Sequence, residues 1–180
     1  MKRTIFTFGT IVGLVIGVFI VFITWLEGNS HHVGNYVIGY SAQVIAFAFI
    51  FVGVKNFRDK YNDGVISFGK AFKIGLGIAA IGATFYVLIW LVDFYGFNPD
   101  FMDKYAAHMV KEVQDSGVTG AALEKKMAQI NGMKEMYKSP LFVILFTYAE
   151  VLPVAIVISL ITALILKRRQ VKPLVRQAIA

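Results

Sequence analysis

Four long apolar runs dominate the sequence, at residues 5–26, 34–54, 74–95 and 141–166. A helix needs roughly 20 apolar residues to cross the hydrocarbon core of a bilayer, and each run reaches that length. The composition, 57% apolar and 16% charged, is also far from that of a soluble domain. The sequence therefore predicts an all-α fold, an integral membrane four-helix bundle that forms a single membrane domain over residues 1–180.

The first run follows Met1-Lys2-Arg3, which is how a secretory signal peptide also opens. Its uncharged stretch is longer than the apolar region of a signal peptide, and no A-x-A-like cleavage site follows it. We therefore expect a retained transmembrane helix.

Basic residues are divided unequally between the two sides of the predicted bundle. If the loops alternate sides, one side holds twelve lysines and arginines and the other holds six. The richer side comprises Lys2, Arg3, Lys55, Arg58, Lys60, Lys70, Lys73, Lys167, Arg168, Arg169, Lys172 and Arg176. By the positive-inside rule this side is cytoplasmic, so the sequence predicts a multi-pass membrane protein with both termini in the cytoplasm. Topology thus accounts for the net charge of +7, and nucleic-acid binding is not expected.

Two cytoplasmic segments carry most of these charges. Residues 55–73 form a basic loop in which Asn62-Asp63-Gly64 predicts a turn. Ser67 predicts the N-cap of a helix that lies in the cytoplasmic interface before it enters the membrane as the third span. Residues 167–180 form a basic tail that we expect to lie against anionic headgroups.

The pattern of residues 98–138 predicts that this segment forms an extramembrane helical hairpin. The hairpin would lie between transmembrane helices 3 and 4, on the periplasmic side. Asn98-Pro99-Asp100 is typical of an N-cap, a first-turn proline and a first-turn acid. Ser116-Gly117 would end the first helix, and Thr119 would cap the second. Both segments carry apolar residues at helical spacing.

Five of the six methionines lie in this hairpin, at positions 102, 109, 127, 133 and 136. Such flexible side chains suit an adaptable binding surface, but they also fill grooves between helices. We favour the second interpretation.

One ionisable residue lies inside the fourth run: Glu150, three residues before Pro153. A carboxylate at this depth costs about 2.5–3.5 kcal/mol on insertion scales, so it needs hydrogen-bond donors, a bound proton or a function. Counted at about 1.5 Å per residue from the basic flanks, Gln43, Tyr86 and Glu150 lie roughly 18 to 25 Å deep. With Tyr40, they are the candidate intramembrane polar site.

Small residues four apart form three stripes that would allow close helix packing. They are Gly9, Gly13 and Gly17; Gly75, Ala79 and Ala83; and Ala155, Ser159 and Ala163. At 100° per residue the third stripe and Glu150 occupy different sides of the last helix. We expect the stripe to pack on the glycine face of the first helix, and Glu150 to face the second and third.

Two segments resemble a known family. Residues 64–75 (GVISFGKAFKIG) precede the third run, and residues 150–167 (EVLPVAIVISLITALILK) form the fourth. In this order and spacing the chain resembles, over nearly its whole length, an uncharacterised bacterial family of four-helix inner-membrane proteins, a domain of unknown function. The resemblance implies the architecture and assigns no activity.

Catalytic motifs are missing from the sequence. There is no Walker loop or H-E-x-x-H, and Gly39-Tyr40-Ser41 lacks the second glycine of a nucleophile elbow, where Gln43 stands. There is no cysteine, and the adjacent pair His31-His32 is a poor chelate by itself. We therefore expect no enzyme activity, no cofactor and no metal site.

Two functional hypotheses follow. The first is a structural or interaction scaffold in the bilayer that presents the hairpin to a protein partner, with Glu150 as polar contact between helices. The second is a small transporter or channel component in which Glu150 handles a proton or cation. No oligomeric state is predicted.

Overall fold

Seven α-helices account for most of the computed structural model, which describes residues 1–29 and 36–168. They are α1 (Lys2–Asn29), α2 (Tyr36–Phe47), α3 (Phe49–Tyr61), α4 (Phe68–Val92), α5 (Phe101–Asp115), α6 (Ala121–Met136) and α7 (Pro140–Leu166). A π-helical turn, Asp93–Phe97, extends α4. The predicted all-α class is confirmed.

Within the described ranges, four helical segments are long and apolar enough to cross a membrane. They are Lys2–Phe22, Gly39–Tyr61, Phe68–Phe97 and Pro140–Leu166. The chain is therefore a multi-pass membrane protein with a bundle-like arrangement of helices. Both α5 and α6 lie between the third and fourth segments and belong to neither.

The second span differs from its predicted bounds. It does not end at residue 54, because α3 continues to Tyr61 through the basic stretch that was expected to be a loop. Lysine and arginine are good helix formers, and their long side chains can reach water from a helix end. The span is also interrupted at Ala48, where the Phe51 amide bonds to the Ala48 carbonyl three residues back.

The connection from α3 to α4 is a turn, as predicted. Asp63 and Gly64 have φ of 50° and 72°, and the Asn62 side chain donates to the Val65 carbonyl. Ser67 is the N-cap, and its hydroxyl accepts from the Lys70 amide at 3.3 Å. The predicted N-cap is therefore confirmed, and residues 68–73, which we expected in the membrane interface, form the first turns of α4.

The end of α7 is hydrogen-bonded to the connection between α3 and α4. Ile66 and Arg168 exchange two backbone hydrogen bonds, of 3.0 and 2.8 Å. The connection and the end of α7 therefore lie at the same end of the bundle, opposite the hairpin.

The bundle is organised around α4, which packs extensively against both α1 and α7. A Cβ atom added to Gly9 or Gly17 of α1 would fall 2.6 Å from Ile81 or 2.8 Å from Ile89, both on α4. The offset of 72 positions is the same in both pairs, so the two helices run in the same direction.

The expectation that the small stripe of α7 packs on α1 is wrong. Ala155, Ser159 and Ala163 are fully buried, but their neighbour is α4: a Cβ on Gly75 would lie 3.0 Å from the Cβ of Ser159. Since α1 already lies on another side of α4, α4 separates it from α7. The Ser159 hydroxyl is satisfied within its own helix by the Ala155 carbonyl, at 2.8 Å.

The hairpin consists of α5 and α6, but neither expected cap is used. The Asn98 side chain donates instead to Asp93 at 3.0 Å, closing the end of the π turn, and α5 begins only at Phe101. The residue before α6 is Gly120, with φ of 61°, and not Thr119. A positive φ is easily adopted by glycine, which explains the shift of one position.

Candidate functional site

Gln43 of α2 and Glu150 of α7 form a hydrogen bond between helices at the edge of the bundle. The Gln43 Nε2 donates to Glu150 Oε1 across 3.4 Å, although the two residues are 107 positions apart. Gln43 is only 3% exposed, and its other polar atom, Oε1, is buried without a hydrogen-bond partner. The amide therefore supplies Glu150 with one donor and leaves one acceptor open.

Glu150 lies at the edge of the bundle and not in its core. The residue is exposed on the protein surface, as are Val157 and Ile161 of the same side of α7. The expectation that this side of the helix is shielded from lipid is therefore wrong for the part of α7 that follows Glu150. The physical reason is that α4 covers the opposite, small-residue flank of α7.

Pro153 leaves one backbone carbonyl on this part of α7 without its intrahelical hydrogen bond. Proline has no N–H, so the carbonyl of Ala149, four residues earlier, lacks its usual intrahelical donor. Ala149, Glu150 and Pro153 are all exposed.

The other two residues of the predicted polar layer are placed differently. Tyr86 of α4 is half-buried and close enough to interact electrostatically with Glu150 and with the side chain of Gln43. Tyr40 is 46% exposed on the outer surface. Gln43, Tyr86 and Glu150 thus form the cluster, with Tyr40 at its margin.

Sequence reasoning missed a second polar contact between helices. The Tyr148 hydroxyl of α7 donates to the Thr84 hydroxyl of α4 at 3.0 Å, and Thr84 in turn donates to the Ala80 carbonyl at 2.8 Å. The signal was present in the sequence, because both residues are hydroxyl-bearing interruptions of apolar runs.

The base of the hairpin is fixed by an aromatic cluster, here defined as Trp90, Phe94, Phe101, Tyr137 and Phe146. Trp90 and Phe101 meet edge to face with centroids 4.9 Å apart, Phe94 and Tyr137 lie 6.1 Å apart, and Tyr137 stacks on Phe146 at 5.9 Å. Such pairs contribute about 0.5–1.5 kcal/mol each beyond the area they bury. Both ends of the hairpin are therefore tied to the end of α4 and the start of α7.

Tyr137 links the hairpin base to the intramembrane cluster. It lies outside the spans, and burial together with the charge of Glu150 raises the pKa of its hydroxyl. The carboxylate is therefore near enough to the aromatic cluster to act on it electrostatically.

The hairpin methionines occupy mostly the inner side of the helix pair. Met102 is 7% exposed, the residues at 109, 127 and 133 are half-buried, and Met136 is 38% exposed. This arrangement agrees with methionines filling the groove between α5 and α6.

Two further sequence features, His31-His32 and the basic tail from residue 169 onward, lie outside the described residues. Among the described residues, no group of three or more histidine and acidic side chains is arranged to hold a metal ion.

Comparison with known proteins identifies the family. A model described as Protein of unknown function (DUF4199) matches residues 7–168, nearly the whole chain. The chain belongs to this family. The DUF4199 match covers most of the first span, the other three spans and the hairpin, so the polar cluster and the aromatic cluster both lie within the family domain. No curated protein and no solved structure matches the chain.

Proposed function

We propose that this DUF4199 protein is a non-catalytic membrane scaffold that presents the α5–α6 hairpin to a protein partner. The observation that carries the proposal is the aromatic cluster, which ties both ends of the hairpin to the bundle. A binding element held in one orientation loses little conformational entropy when it binds.

The outer surface of the hairpin is polar and charged, which suits a binding module in water. Its apolar residues face inward, as Met102, Ala106 and Ile130 are almost fully buried. Charged side chains of both signs cover the outside and form the ion pairs Lys104–Asp100 at 2.7 Å and Lys134–Asp103 at 2.5 Å. A partner would thus recognise polar and charged groups on a preformed pair of helices.

The proposal includes a location: the bacterial inner membrane, both termini in the cytoplasm and the hairpin in the periplasm. Its support is the distribution of basic residues along the sequence, with twelve in the segments predicted for one side of the membrane and six in the hairpin segment. The Ile66–Arg168 pairing adds that two of the basic segments lie together at one end.

A photo-crosslinking amino acid at Gln114, exposed on α5, tests this role in native membranes. The proposal predicts a discrete crosslinked protein species from Gln114 and none from the lipid-facing Val18 of α1, which is 69% exposed. Replacing both Phe101 and Tyr137 by alanine should weaken the crosslink several-fold while the protein still inserts. Absence of any protein adduct from Gln114 and from other exposed hairpin positions would reject the role.

The alternative is a small transporter or channel component in which Glu150 handles a proton or cation. It draws support from the exposure of Glu150 and from the open acceptor on Gln43. The Glu150→Gln variant separates the two roles, because a scaffold tolerates the neutral amide whereas proton or cation handling requires the carboxylate.

A further inference from the structure

The end of the bundle opposite the hairpin carries many cations and few acids. We call it the basic end and define it as residues 55–73 and 167–168, which contain seven basic and two acidic residues and so have a net charge of +5. The basic residues are Lys55, Arg58, Lys60, Lys70, Lys73, Lys167 and Arg168. All of them are exposed except Arg58, which is half-buried, so this charge lies at the surface of the bundle.

Ion pairing at the basic end differs from ion pairing in the hairpin. Three of the six hairpin lysines pair with acids of the same segment: Lys104 with Asp100, Lys134 with Asp103, and Lys138 with Glu135. Of the seven cations at the basic end, only Arg58 is ion-paired within the described part of the chain, with Asp59 at 2.6 Å. An anion from outside the chain would therefore supply the missing counter-charge.

Arg168 of α7 and Lys70 of α4 are both attached to the α3–α4 connection. Arg168 exchanges its two backbone hydrogen bonds with Ile66. The Lys70 Nζ donates to the Asn62 Oδ1 at 2.6 Å, and the Asn62 side chain in turn donates to the carbonyl of Val65, the neighbour of Ile66. These contacts bring one guanidinium and one ammonium group, from two different spans, to the same short turn.

Side chains of α3 face the same place. Arg168 and Lys55 both lie close enough to Asp59 to act on its carboxylate electrostatically. Because Asp59 already pairs with Arg58, it cannot neutralise the other two cations as well. The cations of α3, α4 and α7 therefore form one group and not three separate ones.

Exposed aromatic side chains border this group of cations. Phe68 and Phe72 stack on the first turns of α4 with their centroids 5.8 Å apart, and Phe68 is 36% exposed. Tyr61, the last residue of α3, is 60% exposed. Aromatic side chains at the ends of membrane spans suit the boundary between headgroups and acyl chains. Rings beside cations thus match an anion that carries acyl chains better than a free anion in water.

We propose that the basic end binds the headgroup of an anionic phospholipid, with Arg168 and Lys70 as the main contacts of its phosphate. A guanidinium group can donate two parallel hydrogen bonds to a phosphate, and an ammonium group adds a compact positive charge. Phe68 and Phe72 contact the first part of an acyl chain. The sequence predicts only that the basic tail lies against anionic headgroups, whereas this site is a defined place formed with α3 and α4.

A lipid in this site would join two spans. The end of α7 and the α3–α4 connection are linked by the two backbone hydrogen bonds between Ile66 and Arg168. A phosphate held by Arg168 and Lys70 adds a second link between α7 and α4, so the lipid stabilises the folded bundle. The site lies at the opposite end from the hairpin and needs no protein partner, so this proposal and the scaffold role can fail independently.

Native mass spectrometry of the full chain tests the site directly. The protein is released from micelles that contain equal amounts of phosphatidylglycerol and phosphatidylcholine with the same acyl chains. The wild type should retain phosphatidylglycerol with a several-fold preference, and Lys70→Gln combined with Arg168→Gln should remove most of that preference. The Ile66–Arg168 pairing uses only main-chain atoms, so the double variant keeps it. Equal retention of the two lipids by the wild type would overturn the proposal.

A matched variant controls for net charge. Lys125→Gln combined with Lys126→Gln removes two exposed lysines from α6, which is the same change in charge at the other end of the molecule. This variant should keep the preference for phosphatidylglycerol. A preference that is unaffected by the changes at Lys70 and Arg168, or that falls equally in the control, would overturn the assignment to the basic end.

Thermal unfolding in a neutral detergent distinguishes a lipid from free phosphate. Phosphatidylglycerol should raise the Tm of the wild type by a few degrees relative to phosphatidylcholine, because a ligand of the folded state stabilises it. Inorganic phosphate at the same concentration should not, since it lacks the acyl chains that contact Phe68 and Phe72. An equal rise with inorganic phosphate would identify a free anion as the ligand and overturn the lipid assignment, as would the absence of any rise with phosphatidylglycerol.

Discussion

Gly13 of α1 lies directly against Phe85 of α4, so closely that a Cβ atom added to the glycine would fall 2.6 Å from the Cβ of the phenylalanine. The contact joins two helices that run in the same direction, and it places α4 between α1 and α7. Close approach through glycine is what lets one central helix serve two neighbours.

Replacing this glycine should therefore destabilise the bundle. Gly13→Leu forces α1 and α4 apart, and overpacking of this kind typically costs about 1–3 kcal/mol. The free energy of unfolding in detergent micelles measures the effect. Gly132→Leu, at a position with open surroundings, should cost nothing and serves as the matched control.

A double-mutant cycle identifies the partner helix. Gly13→Leu combined with Phe85→Ala should recover part of the loss, with a coupling energy of about 0.5–3 kcal/mol. The same cycle with Ser159→Ala on α7 should be additive, because α4 separates α1 from α7. Coupling to Ser159 and not to Phe85 would contradict the central position of α4.

Gln43 should matter to stability mainly through Glu150. Gln43→Leu leaves the carboxylate without its amide donor, a loss of about 1–3 kcal/mol, whereas Glu150→Gln retains a hydrogen-bonding group of the same size. Unfolding measurements should rank the variants as Glu150→Gln close to wild type, with Gln43→Leu and Glu150→Leu both less stable. Equal stability of all three would show that the contact contributes nothing.

Tyr137 should titrate at higher pH than a free tyrosine. Burial and the charge of Glu150 both raise the pKa of its hydroxyl above the ordinary value of 10.0. Because the folded pKa is the higher one, this group's contribution to stability is complete below about pH 10 and is lost as the pH rises through the folded pKa.

The difference between the ultraviolet titrations of wild type and Tyr137→Phe isolates this residue among the eight tyrosines. Glu150→Gln should move the Tyr137 titration part of the way back toward 10.0, since burial remains. A titration of Tyr137 unchanged by Glu150→Gln would mean that the carboxylate does not act on the hairpin base.

The membrane orientation is open to cysteine labelling, since the chain has no native cysteine. A cysteine at Gln114 should react with an impermeant maleimide while the inner membrane is intact, because we place the hairpin in the periplasm. A cysteine at Lys60, at the other end of the bundle, should react only after the membrane is broken. The reverse pattern would invert the proposed topology.

Much of this architecture could be predicted from sequence, because span length and helical periodicity are local properties. The four spans, the hairpin, the Ser67 cap and the pairing of Gln43 with Glu150 all depend on spacing along a helix. Spacing shows which residues share a face, but not which helix covers that face. That is why the stripe at Ala155 and Ser159 was assigned to α1 and not to α4.

The signal for a central α4 was nevertheless present. Besides Gly75, this helix carries Gly77 and Gly82, where an added Cβ would lie 2.8 Å from Ile5 and 2.5 Å from Val12 of α1. The exposure of Glu150 could not be predicted in the same way. It depends on how far α2 and α4 cover the edge of α7, which is a property of the assembled bundle.

The fixed position of the hairpin is the central claim, and electron–electron resonance between two spin labels tests it most directly. One label is placed on a cysteine that replaces Ser116, at the hairpin turn. The other is placed on a cysteine that replaces Lys55, at the other end of the bundle, and both positions are exposed. The aromatic cluster predicts one narrow distance distribution in nanodiscs. It should broaden when Phe101 and Tyr137 are both changed to alanine, and not when the lipid-facing Phe6, which is 68% exposed, is changed instead. A broad distribution in the wild-type background, or one that is unaffected by loss of Phe101 and Tyr137, would contradict a hairpin held in place for a partner.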